Sequence, residues 1–351
     1  MRIVFASLPA YGHLYPMLPL ALACVDAGHE VTVAAGEPFL TGLPVPAVRG
    51  IAEGVTLHDI EQETFRNHPG LEPGLEWVGY MFGETTVRHT APELRSVFAA
   101  ERPDLVVHEV MNVGAAVAAA EAGMRAVAFG LGLWNPLLTT FYSIAGATMG
   151  PYVDPMPPSL QEPGPLPAAR LPIRSEAWAP PVPLPAWLPS ARRTVYVTLG
   201  TVSFGAVEVL RRAVLETAAH DVDVLVAVGP DGDPALLGDL PPNVHLERFV
   251  PQATVLHHVD AVVHHGGAGT MLGVVAAGLP QLILPQGADH PFNAAAVTRT
   301  GAGLALSNDE QTPGAIGAAV GKLLSAEPVV ARRIAAEIAD LPSPAEVAAQ
   351  L

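Results

Sequence analysis

The segment His264-His265-Gly266-Gly267-Ala268-Gly269-Thr270 constrains this chain more than any other. An apolar run, Ala261 to Val263, leads into the two histidines, and a helix-like run from Thr270 to Ala277 follows until Gly278 closes it. Length and periodicity predict a buried strand, a glycine turn and a helix. The N–H groups of a helix start have no internal partner, and the helix dipole favours negative charge there. Glycine lets an anion approach the backbone closely. The turn therefore predicts a phosphate or diphosphate cradle, or else a tight corner that lets a helix pack on a sheet. No Lys-Ser/Thr pair follows the glycines, so it is not a P-loop, and the spacing is not the dinucleotide G-x-G-x-x-G.

The same rhythm opens the chain. Arg2 to Leu8 reads as a first strand, Pro9 to His13 as a loop, Pro16 to Ala27 as a helix ended by Gly28, and Glu30 to Ala35 as a second strand. Gly42 to Gly74 reads as loop, and Leu75 to Ala100 as mostly helix. Asp104 to His108 reads as a strand with Glu109 just beyond it, Val113 to Ala122 as a helix, and Ala126 to Gly130 as a strand. Pro151 to Pro189 holds 13 prolines in 39 residues, which predicts an extended linker with no helix or central strand. Thr194 to Gly200 opens a second half with a helix from Ala206 to Ala219 and a strand from Val222 to Val228. After the glycine turn, helices at Pro313 to Ser325 and Val329 to Ala339 close it.

Strands alternating with helices predict two doubly wound, parallel α/β domains, 1–150 and 191–351, joined by a linker at 151–190. Ligands in such sheets bind beyond the C-terminal ends of the strands. His13, Glu109, Thr201 and His265 all fall there.

A length of 351 residues suits two domains, and a net charge of −16 argues against a nucleic-acid partner. An anionic ligand must then be met by local dipoles and donors rather than by the global field. A lone cysteine, Cys24, gives neither a disulfide framework nor a zinc cluster. The pairs His257-His258 and His264-His265 lack a completing carboxylate or cysteine, so no metal site is expected. Met1-Arg2 runs directly into a strand without a secretory pattern, which predicts a cytoplasmic protein. Ala126 to Val153 carries no charge, but Asn135, Pro136, Pro151 and four glycines break it. It suits the wall of an apolar pocket better than a membrane span.

The order FVPQ, HHGGAGT, AGLPQLILPQ and ADHPFNA, from Phe249 to Ala294, resembles the nucleotide-sugar signature of the GT-B glycosyltransferases of family 1. Within that family it is similar to the bacterial enzymes that glycosylate antibiotics and other natural products. The resemblance is strongest from Thr194 to Gly303 and weaker from Met1 to Gly132. It implies two Rossmann-like domains facing across a cleft, an N-terminal one for the acceptor and a C-terminal one for the nucleotide sugar.

The resemblance also implies roles. His13 stands where the family's histidine deprotonates the acceptor. Glu109 stands where an acid, commonly aspartate, orients that histidine. By itself Glu109 also reads as an ordinary surface acid. His265 matches the pyrophosphate histidine, and strand alternation turns His264 the other way. Thr201 and Thr270 offer hydroxyls to the phosphates, beside the helix start at Gly267 and Gly269. Phe249 takes the place of a base-stacking tryptophan, or else packs in the core. Val250 meets the base edge through its backbone, and Gln252 reaches the ribose. Asp289 and His290 fall where the family meets the sugar hydroxyls, although glutamine is commoner at the second position and Asp289 could instead cap the next helix. Gly273 stands where users of UDP-sugars commonly carry a ribose-binding glutamate.

Together these predict a metal-independent, inverting transferase that uses a dTDP-sugar and a hydrophobic aglycone. The rivals are a GT-B relative with epimerase or lipid-acceptor chemistry, and a catalytically silent auxiliary to another transferase. Whether two copies pair as a homodimer stays open.

Overall fold

The structure, a computed structural model, describes residues 1–72, 74–200, 207–229 and 233–351. They divide into two compact units. The first holds Met1–Pro155, Pro163–Arg174 and Pro342–Leu351, and the second holds Met156–Glu162 and Ser175–Leu341.

The first unit is built on seven parallel strands: β1 (Arg2–Ala6), β2 (Glu30–Ala35), β3 (Ala47–Arg49), β4 (Leu105–Glu109), β5 (Arg125–Phe129), β6 (Tyr152–Asp154) and β7 (Arg170–Pro172). Their order is β3-β2-β1-β4-β5-β6-β7. Its helices are α1 (Tyr11–Leu14), α2 (Leu18–Asp26), α3 (Leu57–Asn67), α4 (Leu75–Tyr80), α5 (Thr86–Glu101), α6 (Val113–Glu121) and α7 (Leu138–Ile144). Val4, Ala6 and Val106 of the sheet pack against Leu94 and Phe98 of α5 and the alanines of α6. Helices cover both faces, so the strands are apolar runs rather than alternating ones.

The second unit repeats the design with β8 (Thr194–Thr198), β9 (Asp223–Ala227), β10 (Val244–Glu247), β11 (Ala261–His264), β12 (Gln281–Ile283) and β13 (Leu304–Ala305). Their order is β10-β9-β8-β11-β12-β13, again all parallel. The helices are α8 (Val207–Ala218), α9 (Gln252–Val255), α10 (Ala268–Ala276), α11 (His290–Thr300), α12 (Ala315–Ser325) and α13 (Val329–Ala339). Val195, Val197, Val224, Val226 and Val263 meet α8 and α12 on one face. Leu225, Val262 and Val274 form a second cluster with Val255. A last helix, α14 (Pro344–Ala348), belongs to the first unit, where it packs on α2.

In each sheet the order in which strands are added reverses beside the first strand, between β1 and β4 and between β8 and β11. Such switch points are where ligands bind in open α/β sheets.

Four expectations need correcting. First, His13 sits on the helical turn α1, not in a loop. Second, the stretch read as loop from Gly42 to Gly74 contains β3 and α3. A capping box holds the start of α3: Asp59 N–H donates to Thr56 Oγ1, and Thr56 N–H to Asp59 Oδ2. Third, the segment 151–190 is not a plain linker. Pro151 and Pro155 flank β6 rather than interrupt it, and β7 lies at the sheet edge, where proline is tolerated. Arg170 Nε donates to the buried Asp154 Oδ2 at 2.5 Å and ties the two strands together. Fourth, 342–351 does not belong with the second unit. Arg174 N–H donates to Pro342 C=O at 2.7 Å, and Val347 and Ala348 of α14 are buried.

Candidate active site

In the first unit, Tyr11, Tyr15 and Phe39 pack edge to face around α1, with centroids 4.9 to 6.0 Å apart. Leu14 is buried beneath them. This fixes the helical turn that carries His13. Glu109 ends β4, the strand next to β1, and is fully buried. Its Oε1 lies 3.0 Å from His13 Nδ1, and its Oε2 accepts the Met111 N–H at 2.6 Å. A carboxylate only accepts, so Nδ1 carries the hydrogen and Nε2 is left as the basic nitrogen. The extra methylene of glutamate lets the carboxylate fold back onto the N–H two residues on while still reaching the imidazole. The sequence-predicted pair is therefore brought together, and Glu109 is no surface acid.

Apolar side chains surround the pair. A π-helical turn, Met81–Thr85, carries Phe82, whose ring centroid lies 6.5 Å from that of His13 and 6.0 Å from that of Phe141. Phe82, Met111, Leu131 and Met149 are half-buried around a cluster of Trp134, Leu138, Phe141 and Tyr142. The uncharged segment 126–153 supplies much of this cluster. Its helix α7 has seven residues, and among the described residues no helix is long and apolar enough to cross a membrane.

In the second unit the glycine turn follows β11, and Gly267 is the N-cap of α10 without any side-chain cap. The first-turn N–H groups of this helix thus have no partner within it. The His265 ring is boxed in. A Cβ on Gly200 would come within 2.6 Å of its Cε1, and one on Gly267 within 2.5 Å of its Nε2. The His290 ring meets it edge-on, with centroids 4.7 Å apart. Burial, then the neighbouring His290 and His264, hold the His265 pKa well below the ordinary histidine value, against a hydrogen bond to the Thr198 backbone. His265 is therefore neutral near pH 7, with one ring N–H and one acceptor nitrogen.

The other predicted donor residues gather around this turn in varied settings. Thr270 Oγ1 donates to Gln252 Oε1 at 3.2 Å. A Cβ on Gly273 would come within 2.9 Å of Gln252 Nε2. Phe249 is 36% exposed and so is not a fully buried core side chain, whereas Val250 is buried in the cluster with Val255 and Val274. Asp289 does not cap α11; its Oδ2 accepts from Asn293 Nδ2 at 2.7 Å. His290 is turned inward, 5% exposed, and accepts the Gln286 N–H on Nδ1. It supports the His265 ring. Thr201 lies outside the described residues.

Sequence reasoning missed Asn293. It is fully buried and donates to Gly266 C=O at 2.8 Å as well as to Asp289. Its i,i+4 spacing from Asp289 on a helix was the available signal.

Two Rossmann-like units, one with a histidine–carboxylate pair and one with a glycine turn at its switch point, are the architecture of the GT-B glycosyltransferases. A family model described as the erythromycin biosynthesis protein CIII-like C-terminal domain matches residues 211–351. The L-demethylnoviosyl transferase of Streptomyces niveus is 34% identical, over 99% of this chain and 97% of its own. The elloramycin glycosyltransferase ElmGT of Streptomyces olivaceus is 34% identical, over 100% and 97%. The spinosyn rhamnosyltransferase SpnG, solved with thymidine diphosphate, matches with a TM-score of 0.83 and 25% identity, covering 100% of this chain and 99% of that one. Solved with spinosyn aglycone, it matches at 0.83 and 26%, with the same coverage. The chain belongs to the bacterial antibiotic glycosyltransferases of GT-B fold.

Proposed function

We propose that this glycosyltransferase is inverting, takes a deoxysugar from a dTDP-sugar, and delivers it to a hydroxyl of a hydrophobic aglycone with His13 as general base. The observation that carries the reading is the 3.0 Å contact of His13 Nδ1 with the buried carboxylate of Glu109. It leaves Nε2 to take the acceptor proton and places a negative charge against the imidazolium that forms. The acceptor oxygen attacks the anomeric carbon as the bond from that carbon to the diphosphate oxygen breaks. The electron pair leaves with the nucleoside diphosphate, and attack from the opposite face inverts the centre.

In this reading the departing diphosphate is met by His265, Thr270 and the N–H groups from Gly267 to Gly269, without a metal ion. Phe249 stacks on the base, Val250 meets its edge through the backbone, and Gln252 faces the ribose. Asp289 takes sugar hydroxyls. Gly273 has no carboxylate to hold a 2′-hydroxyl, which favours a thymidine deoxyribose. The thymidine diphosphate bound to SpnG supports that choice. The apolar cluster beside His13 supports a hydrophobic acceptor, as does the spinosyn aglycone bound to the same relative.

The test is turnover of a dTDP-deoxysugar with a panel of polyketide and aromatic aglycones, with the product's anomeric configuration read by NMR. Release of dTDP that depends on the aglycone, with inversion, is expected. Retention, or tight dTDP binding without turnover on any acceptor, would overturn the reading.

A further inference from the structure

Gly266 has both of its peptide groups taken by fully buried side chains that contact no substrate in the reading above. Its N–H donates to His264 Nδ1 at 3.1 Å, and its C=O accepts from Asn293 Nδ2 at 2.8 Å. Gly266 itself has φ +99°, and a Cβ there would come within 2.7 Å of Ile283 Cγ2.

The two side chains are in turn anchored. His264 ends β11 in mid-sheet, paired with Thr198 on one side and Ile283 on the other. Because its Nδ1 accepts, its Nε2 carries the hydrogen, which is donated to Gln281 Oε1 at 2.8 Å. Asn293 spends its second amide hydrogen on Asp289 Oδ2 at 2.7 Å.

We infer that His264 and Asn293 are positioning residues that lock the Gly266 peptide and so aim the N–H groups of the first turn of α10 at the diphosphate. Asn293 also joins this turn to the Asp289 carboxylate, so the diphosphate end and the sugar end of the donor site are set by one side chain. The inference rests on the proposed donor reading of the turn. Its physical basis is the freedom of glycine. Without a Cβ, Gly266 reaches many backbone conformations, and each must be given up again when the anion binds. A buried N–H or C=O stripped of its partner also drives the turn toward other arrangements.

The test is calorimetric titration of dTDP into wild type, His264→Leu, His264→Asn and Asn293→Ala, with thermal unfolding recorded for each. An asparagine side chain accepts the N–H two residues on, so it restores the lock on Gly266 while losing the Gln281 bond. Both His264 variants should therefore unfold at lower temperature. Only the leucine variant and Asn293→Ala should bind dTDP more weakly, by about tenfold or more, with His264→Asn within about threefold of wild type. Asn293→Ala should also narrow the affinity gap between dTDP-sugar and dTDP, because Asp289 loses its partner. Unchanged affinity in His264→Leu, or equal weakening in His264→Leu and His264→Asn, would overturn the lock. A wild type that binds no dTDP would instead overturn the donor reading on which it rests. Should the leucine variant not fold, Asn293→Ala tests the other side of the same peptide.

Discussion

Gln252 stands over Gly273: a Cβ added at Gly273 would come within 2.9 Å of the Gln252 amide nitrogen and 3.2 Å of Leu256 Cδ1. The place where relatives that use UDP-sugars commonly carry a glutamate is thus occupied here by the end of a neighbouring amide, held by Thr270. Gln252 Oε1 is taken by Thr270 and its Nε2 can only donate, so neither accepts the hydrogen of a 2′-hydroxyl as a glutamate would; the expected outcome is a preference for dTDP over UDP of up to about tenfold. Gly273→Glu should shift the preference toward UDP while weakening dTDP, because the glutamate must push Gln252 aside. Side-by-side titration decides it, and tighter or equal UDP binding by wild type contradicts the argument.

Removing His13 should leave dTDP binding unchanged. His13→Ala is expected to lower turnover by about two orders of magnitude or more with an ordinary alcohol acceptor, with dTDP affinity unchanged. Glu109→Gln keeps an oxygen for the Met111 N–H or for His13 but removes the charge, and should slow turnover without altering dTDP binding. An acidic phenol acceptor, which ionises without help, should partly rescue both variants. Near-normal turnover of His13→Ala on an alcohol would remove His13 from the mechanism.

Phe249 offers a separation of binding from stability. Its side chain is only partly buried, so Phe249→Ala should lower the unfolding free energy by about 1–2 kcal/mol, well short of a core phenylalanine. Loss of a stacked base should cost about 1–3 kcal/mol of nucleotide affinity. A variant that unfolds early yet binds dTDP normally would return Phe249 to a packing role.

Acid should loosen the second unit through His264. Burial holds its pKa down to about 4, against 6.5 for a free ring. Above the higher value both states are neutral and nothing is lost. As the pH falls from one value toward the other, the unfolded ring takes a proton that the folded ring refuses, so stability drops, and below the lower value the loss levels off. Between about pH 7 and pH 5 this one group accounts for roughly 2 kcal/mol. The lowered pKa values of His265 and His290 act in the same direction. Urea unfolding at the two pH values should show a smaller loss in His264→Asn than in wild type. An equal loss would mean that His264 already carries a proton in the folded state.

The parts of the fold that were legible are those written in period and punctuation. The strands around Phe5, Val107 and Val263 are unbroken apolar runs, and Gly28 and Gly278 end their helices as glycine should. The helix α3 was hidden because Asp59, not Glu or Gln, closes its capping box within a polar stretch. β6 and β7 were hidden because three-residue strands leave no period to read. Among site residues, His13, Glu109 and His265 were reached from their places after strands. The role of His264 was not. Nothing in a sequence shows that a buried ring will accept the N–H two residues on. Asn293 likewise shows its purpose only when α11 brings it against Gly266.

The return of Pro342–Leu351 to the first unit bears on how the protein is made. The second unit is, in effect, an insertion within the first. As the chain leaves the ribosome, the strands beside His13 and Glu109 emerge before the second unit, yet α14, which packs on α2 of the same unit, emerges only after it. Every residue of the second unit has emerged by Leu341. The half begun first is therefore finished second, and it must wait, with α2 uncovered, through the synthesis of its neighbour. Cutting the chain before Pro342 would accordingly injure the first unit, although the missing residues adjoin the second in sequence.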